Sequence, residues 1–508
     1  MASPGSAAAA SAPRLGSVTQ ALYGLGALSS SLKAQLLGLV LLFYNQLVGL
    51  DAPQVSFAIM IALLIDAFWD PLVGQLSDNT RTRLGRRHPY IYAAAIPASA
   101  AFVLIFTPPL GWSNEDLFVY LTATLVAARM LDSLLEIPTT ALMPELSRNY
   151  DQRTSLASWR YVFLTVVGGA LSAILAYGVF LKSTHGHKYG QLNMAGYAPY
   201  AVTVAVIAAA TMLVSALSTQ RFVPAMQKPP RRQVGFGVIA REVGLALTNR
   251  NFVALAVSGL IFGIAVGISG GLITYFMTYF WELGSNQLLP LRLWIIPGSL
   301  IGVVLAPWWS RRMGKKPACL IVFYMSIFST TVPIGLRLLG VLPPNSSPWV
   351  LRILILDSFA TGMLSTLGFV IVTSMLSDVV EEIQVKTGRR SEGLLFAADS
   401  LLRKLTTSFT ALLPGLMLAY VRFPRHALPG HVSQATLNEL ALIYLPVVTV
   451  LYLCSTSMIL LYRIDRRRHE ENLQSLATAA ALAEETDQEL NPHLAPGVLA
   501  GPGSAAAE

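Results

Sequence analysis

Charged residues are scarce in this chain. Only 12% of the 508 residues are Asp, Glu, Lys or Arg, about half the share of a soluble globular protein. Hydrophobic residues make up 54% and gather in about twelve runs, each long enough for a helix that crosses the ~30 Å hydrocarbon core of a bilayer. This composition excludes a soluble protein and predicts an all-α integral membrane protein.

Cysteine and catalytic motifs are also lacking. The two cysteines, Cys319 and Cys454, lie in apolar runs, so they indicate neither a disulfide framework nor a metal cluster. No phosphate-binding P-loop is present, and the seven histidines show no metal-ligand spacing. We therefore expect no enzymatic activity and no cofactor. The net charge of +9 is explained by basic cytoplasmic loops, without nucleic-acid binding.

The runs and loops divide the chain into five regions. Basic residues follow every second run, which predicts that both termini lie in the cytoplasm. The expected location is the cell (inner) membrane. Gly85-Arg86-Arg87 recurs in the second half as Gly314-Lys315-Lys316, which suggests duplicated halves. We predict a disordered tail, a six-helix bundle, a central cytoplasmic loop, a second six-helix bundle and a cytoplasmic tail, at residues 1–19, 20–222, 223–250, 251–463 and 464–508.

Asp66 and Asp70 stand inside one apolar run. Their spacing of four residues places both carboxylates on one face of a helix. Each carboxylate costs about 2.5–3.5 kcal/mol at the bilayer centre on insertion scales, so neither is expected to face lipid. The spacing predicts an ion or substrate pathway, and a structural hydrogen-bonding pair between helices is the alternative.

Further charges lie inside later runs. Glu136 precedes Pro138, which frees a backbone carbonyl that suits a cation or a sugar hydroxyl. Arg129 and Asp132 are expected to pair within their helix. Arg160 either reaches the site or extends to the cytoplasmic surface. Lys404 is expected to face the same central cavity as the acids.

Two further groups have alternative interpretations. Tyr275, Tyr279 and Trp281 either stack on a sugar or belong to the aromatic belt at the membrane surface. We favour the aromatic belt. Asp78, Arg86 and Arg87 are expected to form a cytoplasmic gate that latches by ion pairs. The charges are scattered and form no repeated ring, which disfavours a channel pore.

Four segments, spread over both halves, resemble the glycoside–pentoside–hexuronide:cation symporters, the melibiose permease branch of the major facilitator superfamily. They are Asp66-x-x-x-Asp70-Pro71 with the following DNTRTRLGRRHPY, Glu136-Ile137-Pro138 with the later PELSRNYDQRTSLASWR, the Tyr275–Trp281 region, and SDVVEEIQVKTGRRSEGLLFAADSLLRK. The resemblance covers the chain from about Tyr23 to Arg463. It implies a major facilitator-type fold of about twelve transmembrane helices in two six-helix bundles.

The resemblance also implies roles for residues. Asp66 and Asp70 match the family's cation site for H⁺ or Na⁺, to which Glu136 contributes. Asp66, Glu136, Arg160, Lys404 and Tyr275 are then expected to contact the substrate. Three departures are visible: Ser31 stands where a sugar-binding aspartate is expected, Thr140 replaces an aromatic residue, and Trp69 replaces an asparagine. The first two argue against a galactoside, and the third favours protons over sodium.

The sequence thus predicts a monomeric secondary transporter that couples a cation to a glycoside or oligosaccharide by alternating access, surrounded by membrane lipids. Two alternatives remain. An amphipathic solute carrier of the same fold would move a lysophospholipid-like substrate, since the broad family resembles such carriers of animals. A non-transporting membrane receptor would not need the acid pair.

Overall fold

Helices account for nearly all of the regular structure in the described part of the chain. The computed structural model describes residues 15–147, 149–184, 187–225, 244, 248–387, 392–464, 467–475 and 478. Twelve long segments follow one another: α1 Ser17–Val48, α2 Ala52–Asn79, α3 His88–Ile105, α4 Asn114–Leu146, α5 Asp151–Phe180, α6 Met194–Gln220, α7 Arg250–Phe280, α8 Ser285–Met313, α9 Lys315–Leu338, α10 Pro348–Val385, α11 Glu392–Thr410 with Leu413–Tyr420, and α12 Gln434–Ile459.

All of these segments except α11 are long and apolar enough to cross a membrane. Segment α11 is divided because Pro414 has no amide proton to donate to the carbonyl of Thr410. It also carries Arg403 and Lys404. The all-α membrane architecture with about twelve helices is therefore confirmed.

Side-chain caps fix where several segments begin. Ser113 accepts a hydrogen bond from the amide of Asp116 at the start of α4, and Ser433 accepts one from Thr436 at the start of α12. Asn249 accepts from two amides of the first turn of α7. These polar residues satisfy amide groups that have no partner inside a helix.

The twelve segments form two bundles, α1–α6 and α7–α12. We use terminal end for the end of the molecule where α1 begins and α12 ends, and distal end for the opposite one. At the terminal end each bundle has its own core, around Tyr23 and Leu142 in the first and around Phe252 and Met375 in the second. At the distal end one shared core joins both, with Tyr197 and Tyr444 among its members. The two bundles are therefore joined most extensively at the distal end.

Three segments change helical geometry as they approach the distal end. Segment α1 ends in a π-helical turn at Phe43–Val48, α5 at Ile174–Phe180 and α7 at Phe276–Phe280. A π-turn widens the helix by one residue per turn and is frequent at functional sites. All three turns lie where the bundles meet.

The predicted domain boundaries are only partly covered by the described residues. Segment α6 ends at Gln220 and α7 begins at Arg250, while most of the predicted central loop, 223–250, lies outside the described residues. So do most of the predicted tails, 1–19 and 464–508, although residues 467–475 are helical. The boundaries of the five regions remain predictions.

Candidate functional site

Asp66 and Asp70 lie on one face of α2, directly opposite Lys404 of α11. The Lys404 ammonium is 3.3 Å from Asp66 Oδ2 and forms a closer ion pair with Asp70 Oδ2. Both carboxylates are largely buried. This contact connects the two bundles, and it joins three residues that the sequence singled out separately.

Segment α4 holds the acid pair from the other side. The Ser133 hydroxyl donates to Asp66 Oδ1 at 2.6 Å, and the Trp69 indole donates to the carbonyl of Met130 at 3.0 Å. Trp69 therefore points to α4 and offers no oxygen ligand to an ion. Asp70 Oδ1 is buried without a hydrogen-bond partner in the described chain.

Glu136 lies farther along α4, between α1 and α5. It accepts a hydrogen bond from the Ser30 hydroxyl and lies 3.7 Å from the Arg160 guanidinium. That guanidinium stacks over the Tyr23 ring, 5.6 Å from its centroid. Arg160 thus faces the bundle interior, and the alternative in which it extends to the membrane surface is wrong.

Asp132 pairs with Lys33 of α1, and both side chains are mostly buried. The expected pair between Arg129 and Asp132 is wrong, because Asp132 turns to the neighbouring helix. Asp399 and Arg403 of α11 are four residues apart, a spacing that predicts an ion pair, but the side chain of Asp399 lies outside the described residues.

These contacts form one polar cluster with unequal charge. Its carboxylates are Asp66, Asp70, Asp132 and Glu136, and its cationic groups are Lys33, Arg160 and Lys404. Among these seven groups of the described chain, ionised carboxylates outnumber cations by one. A charge without a partner is costly in a low-dielectric interior, so the cluster suits one added monovalent cation.

A cavity of about 380 Å³ lies beside this cluster, between α1 and α5 of the first bundle and α7 and α8 of the second. Its volume falls in the range of small-molecule sites. Polar side chains reach it from all four segments: Ser31, Gln35, Thr165, Ser172, Thr274, Arg292 and Ser299. Ser31 adjoins Ser30, the partner of Glu136, so α1 connects the cavity with the cluster.

Tyr275 lies apart from the other predicted substrate residues. It is 1% exposed, and its hydroxyl donates to Asn45 Oδ1 at 2.8 Å. Tyr279 and Trp281 are also buried. The favoured interpretation as an aromatic belt at the membrane surface is wrong, because all three rings are buried and the hydroxyls of Tyr275 and Tyr279 bond to Asn45 and Gln46 of α1.

Tyr275 belongs to a set of contacts that joins the bundles at the distal end. We call it the distal network; it comprises Asn45, Gln46, Asp51, Tyr275, Tyr279, Arg425 and His426. The Tyr279 hydroxyl donates to Gln46 Oε1 at 3.1 Å, and the amide of Ala427 donates to the same oxygen at 2.9 Å. Arg425 forms an ion pair with Asp51. The distal end is closed by these contacts.

The predicted cytoplasmic gate residues do meet at the terminal end. Arg87 pairs with Asp78, and Arg86 lies 3.9 Å from it. Both arginines also contact Glu145 at the end of α4, which the sequence analysis did not identify. All four residues belong to the first bundle, so the contacts themselves do not bridge the bundles. Their role in gating remains a prediction.

The second bundle has the equivalent arrangement. Lys315, at the position that repeats the basic loop of the first half, contacts Asp378 near the end of α10 at 2.6 Å. The Tyr462 hydroxyl also faces Asp378 at 3.3 Å. Burial, followed by the charge of Asp378, raises the pKa of Tyr462, so the hydroxyl remains a donor. The two halves therefore use the same pairing of a basic loop with the end of their fourth segment.

The polar cluster contains three residues whose roles the sequence analysis missed. Lys33 was recognisable as a charge inside an apolar run, but its partner was not. Ser30 and Ser133 carry no signal in the sequence, because serine is common in transmembrane helices. The distal network was also not predicted, because its members come from segments that lie far apart in the sequence.

A twelve-helix, two-bundle membrane protein with a polar cluster between its bundles has the architecture of a solute transporter. Residues 22–466 match the model of the family described as MFS/sugar transport protein. The chain belongs to this family.

Curated relatives extend over most of the chain. The isoprimeverose transporter of Lactiplantibacillus pentosus is 25% identical over 449 residues, which cover 87% of this chain and 88% of the relative. The inner membrane symporter YicJ of Escherichia coli (strain K12) is 27% identical over 458 residues and covers 85% and 88%.

Solved structures show the same fold. A D-xylose-proton symporter superimposes with a TM-score of 0.57 at 16% identity, over 86% of this chain and 96% of its own. The nucleoside transporter NupG gives a TM-score of 0.56 at 12% identity, over 87% of this chain and 98% of its own. At these identities the likeness concerns the fold alone.

Proposed function

We propose that this protein is a secondary active transporter that carries a sugar across the membrane together with a cation. Membership of the sugar-transport family supports this function, as does the likeness to several symporters, one of them a putative glycoside/cation symporter of Escherichia coli. The observation that carries it is the polar cluster, whose seven described groups include one more carboxylate than cationic groups and so provide a reason for a coupling cation.

Asp66 and Asp70 are the proposed coupling site. Lys404, on α11 of the second bundle, pairs with both carboxylates. Any cation bound at Asp66 and Asp70 therefore competes with the Lys404 ammonium for them. Binding would loosen the contact between α2 and α11 and thereby change how the two bundles pack. Asp70 Oδ1, which is buried without a partner in the described chain, is the proposed position for that cation.

The coupling ion is proposed to be a proton. A proton needs one carboxylate oxygen, and Asp70 offers one. A sodium ion needs several oxygen ligands, whereas Lys404 and Ser133 already occupy the other oxygens of this pair and Trp69 points away to α4. Sodium at Asp66 and Asp70 is the alternative, which the choice of gradient distinguishes.

The sugar is proposed to bind in the cavity and against Glu136 and Arg160. These two groups accept and donate hydrogen bonds, which suits sugar hydroxyls. Ser31 lines the cavity and Ser30, the preceding residue on α1, supports Glu136, so the cavity and Glu136 lie against the same turn of α1. A glycoside is the proposed class.

Transport then follows from the two bundles. Positive charge in the loops supports a cytoplasmic terminal end, so a closed distal end corresponds to closure toward the outside. Rocking of one bundle against the other exposes the cavity to alternate sides. Cation and sugar raise each other's affinity by one common factor, as linkage requires.

Further assignments belong to the same proposal. The protein acts without catalysis of its own and without a cofactor other than the coupling ion. It functions as a monomer among membrane lipids, in the inner (cell) membrane, with both termini in the cytoplasm. Tyr275 is assigned to the distal network, which a sugar would reach only when that end opens. An amphipathic lysolipid-like solute is the alternative substrate, and a receptor function is the alternative to transport.

The test is uptake by protein reconstituted in vesicles, comparing wild type with Asp70→Asn. Wild type should accumulate a neutral glycoside when a pH gradient is applied. Asp70→Asn should lose the dependence on the gradient, with uptake reduced by about 5- to 150-fold, the usual size of such coupling. Asp116→Asn removes an exposed carboxylate from the first turn of α4, outside the cluster, and should behave as wild type.

Three outcomes would contradict the proposal. If gradient-driven uptake survives in Asp70→Asn, the assignment of the coupling site to Asp66 and Asp70 is wrong. Accumulation that follows a sodium gradient but not a pH gradient replaces the proton by sodium. Uptake of lysolipids in place of every glycoside favours the amphipathic substrate.

A further inference from the structure

A histidine and two carboxylates converge where the C-terminal segment meets the terminal end of α10. Asp378 and Glu381 are three residues apart on α10, so their side chains lie on one face of that helix. His469 belongs to the short helix at residues 467–475. Its Nδ1 atom lies 3.0 Å from Oε2 of Glu381 and 3.3 Å from Oδ1 of Asp378. These three donor atoms all lie within 4.8 Å of one another.

Two of the three donor atoms are buried and form no hydrogen bond within the described chain, namely Oε2 of Glu381 and Nδ1 of His469. A carboxylate oxygen and the unprotonated nitrogen of a neutral imidazole are both acceptors, so they cannot satisfy each other. A buried polar atom without a partner costs free energy. A metal ion removes that cost, because it accepts lone pairs from both atoms at once.

Asp378 is the most enclosed of the three residues, with 5% of its side chain exposed. Lys315 contacts Oδ1 at 2.6 Å and Oδ2 at 2.8 Å, and the Tyr462 hydroxyl lies 3.3 Å from Oδ2. Oδ2 can therefore keep both partners while Oδ1 serves as a ligand. Outer partners of this kind orient the carboxylate that binds a metal.

We infer that Asp378, Glu381 and His469 form a site for a divalent metal of the zinc class, which fastens the C-terminal segment to α10. Zinc accepts imidazole nitrogen and carboxylate oxygen at about 2.0–2.2 Å. Tetrahedral ligands at such distances are about 3.3–3.6 Å apart, and Nδ1 of His469 already lies close to that distance from both carboxylates. Water takes the fourth position. Magnesium does not match, because it requires octahedral coordination by oxygen.

The role of this metal is structural and separate from ion coupling. All three ligands lie at the terminal end of the second bundle, whereas Asp66 and Asp70 lie on α2 of the first. The C-terminal segment already rests on the second bundle, since Arg468 lies 3.2 Å from Glu382 of α10. A metal on the neighbouring residues adds a second link between the same two elements. The inference therefore stands or falls independently of the proposed transport.

The experiment is isothermal titration calorimetry of purified full-length protein, freed of its affinity tag and treated with EDTA. Wild type should bind one Zn²⁺ per chain and no Mg²⁺. His469→Gln and Glu381→Gln should each weaken zinc binding by at least about tenfold, since loss of even an outer partner of a metal site costs about 10- to 100-fold. The matched controls His431→Gln and Glu471→Gln change exposed residues outside the donor set and should bind zinc as wild type does.

Amide hydrogen exchange tests whether the metal fastens the C-terminal segment. Zinc should slow exchange at residues 467–475 in wild type and leave it unchanged in His469→Gln. Unaltered exchange in α7 and α12 shows that the variant is folded.

Three results would overturn the inference. Wild type that binds no zinc would leave His469 as a protonated partner of the two acids. Zinc binding that survives in both His469→Gln and Glu381→Gln, or that is matched by magnesium, would remove the assigned ligands or the assigned metal class. Zinc binding without slower exchange at residues 467–475 would show that the ion does not link this segment to α10.

Discussion

Single side chains determine the charge balance between the helices of the first bundle. Lys33 and Asp132 are the clearest example, because the exposed fractions of their side chains are only 4% and 19%. Lys33 also lies over the Phe102 ring, 5.7 Å from its centroid. Lys33 and Asp132 stabilise the contact between α1 and α4 only when both are present, since either charge alone would be buried without a partner.

Removing one member should therefore cost more than removing both. Lys33→Ala should lower the free energy of unfolding by about 3–5 kcal/mol, the usual cost of breaking a buried pair. The double variant Lys33→Ala/Asp132→Ala should recover part of that loss. Thermal unfolding in detergent checks both, and a double variant less stable than Lys33→Ala would contradict the assignment of this pair.

At the residue scale, the sequence indicated which charges lie inside the membrane region and that Lys404 faces the acids, but it did not indicate the individual ion pairs. Asp66, Asp70 and Glu136 were recognisable because an acid in an apolar run requires a reason. That Lys404 would meet Asp70, or Lys33 meet Asp132, depends on which helix faces pack together, and residues so distant in sequence carry no local signal of that. Tyr275 was assigned to the aromatic belt because hydropathy does not distinguish a side chain that faces lipid from one that packs against another helix.

At the scale of elements, the distal ends of α1 and α7 control the closure of the molecule. Both end in π-turns, and α1 is followed by Gly49 with a φ of +96°. A Cβ at Gly49 would lie 2.6 Å from Nε2 of His426, which belongs to the other bundle. Glycine is required here by the backbone and by the close approach.

Gly49→Ala should weaken distal closure. The left-handed conformation costs an alanine about 1–2 kcal/mol, and the contact with His426 adds to the cost in the closed state alone. Spin labels on Trp112→Cys and Val341→Cys, in exposed distal loops of the two bundles, should show a larger fraction of long distances.

Gly111→Ala is the matched control for this experiment. Gly111 has a φ of +91° and nothing within 4 Å of a Cβ, so it shares the backbone cost without the interbundle contact. Similar distance distributions in both variants would show that His426 does not hold the bundles together through this contact.

Element-scale prediction from sequence was correct for the number of helices and for the repeat of the basic loops. Both follow from patterns that extend over many residues, namely long apolar runs and a Gly-basic-basic motif that occurs in each half. The division of α11 and the π-turns were not predicted. Pro414 accounts for the division of α11, whereas the π-turns arise where helices pack against the other bundle, so the local sequence does not specify them.

At the scale of the whole molecule, two bundles with separate terminal cores share one distal core. Within the polar cluster, Asp66 and Asp70 of α2 meet Lys404 of α11, and these contacts connect charge to the packing of the bundles. Four carboxylates face three cationic groups in this cluster. The account therefore requires one monovalent cation for each transport cycle.

The most direct test of that claim is the stoichiometry of transport. In vesicles with a set sugar gradient, the cation gradient at which net sugar flux reverses reports how many cations accompany each sugar. The account predicts one cation for each neutral sugar in wild type, and no dependence on the cation gradient in Asp70→Asn. A ratio of two in wild type, or a reversal point independent of the cation gradient, would contradict it.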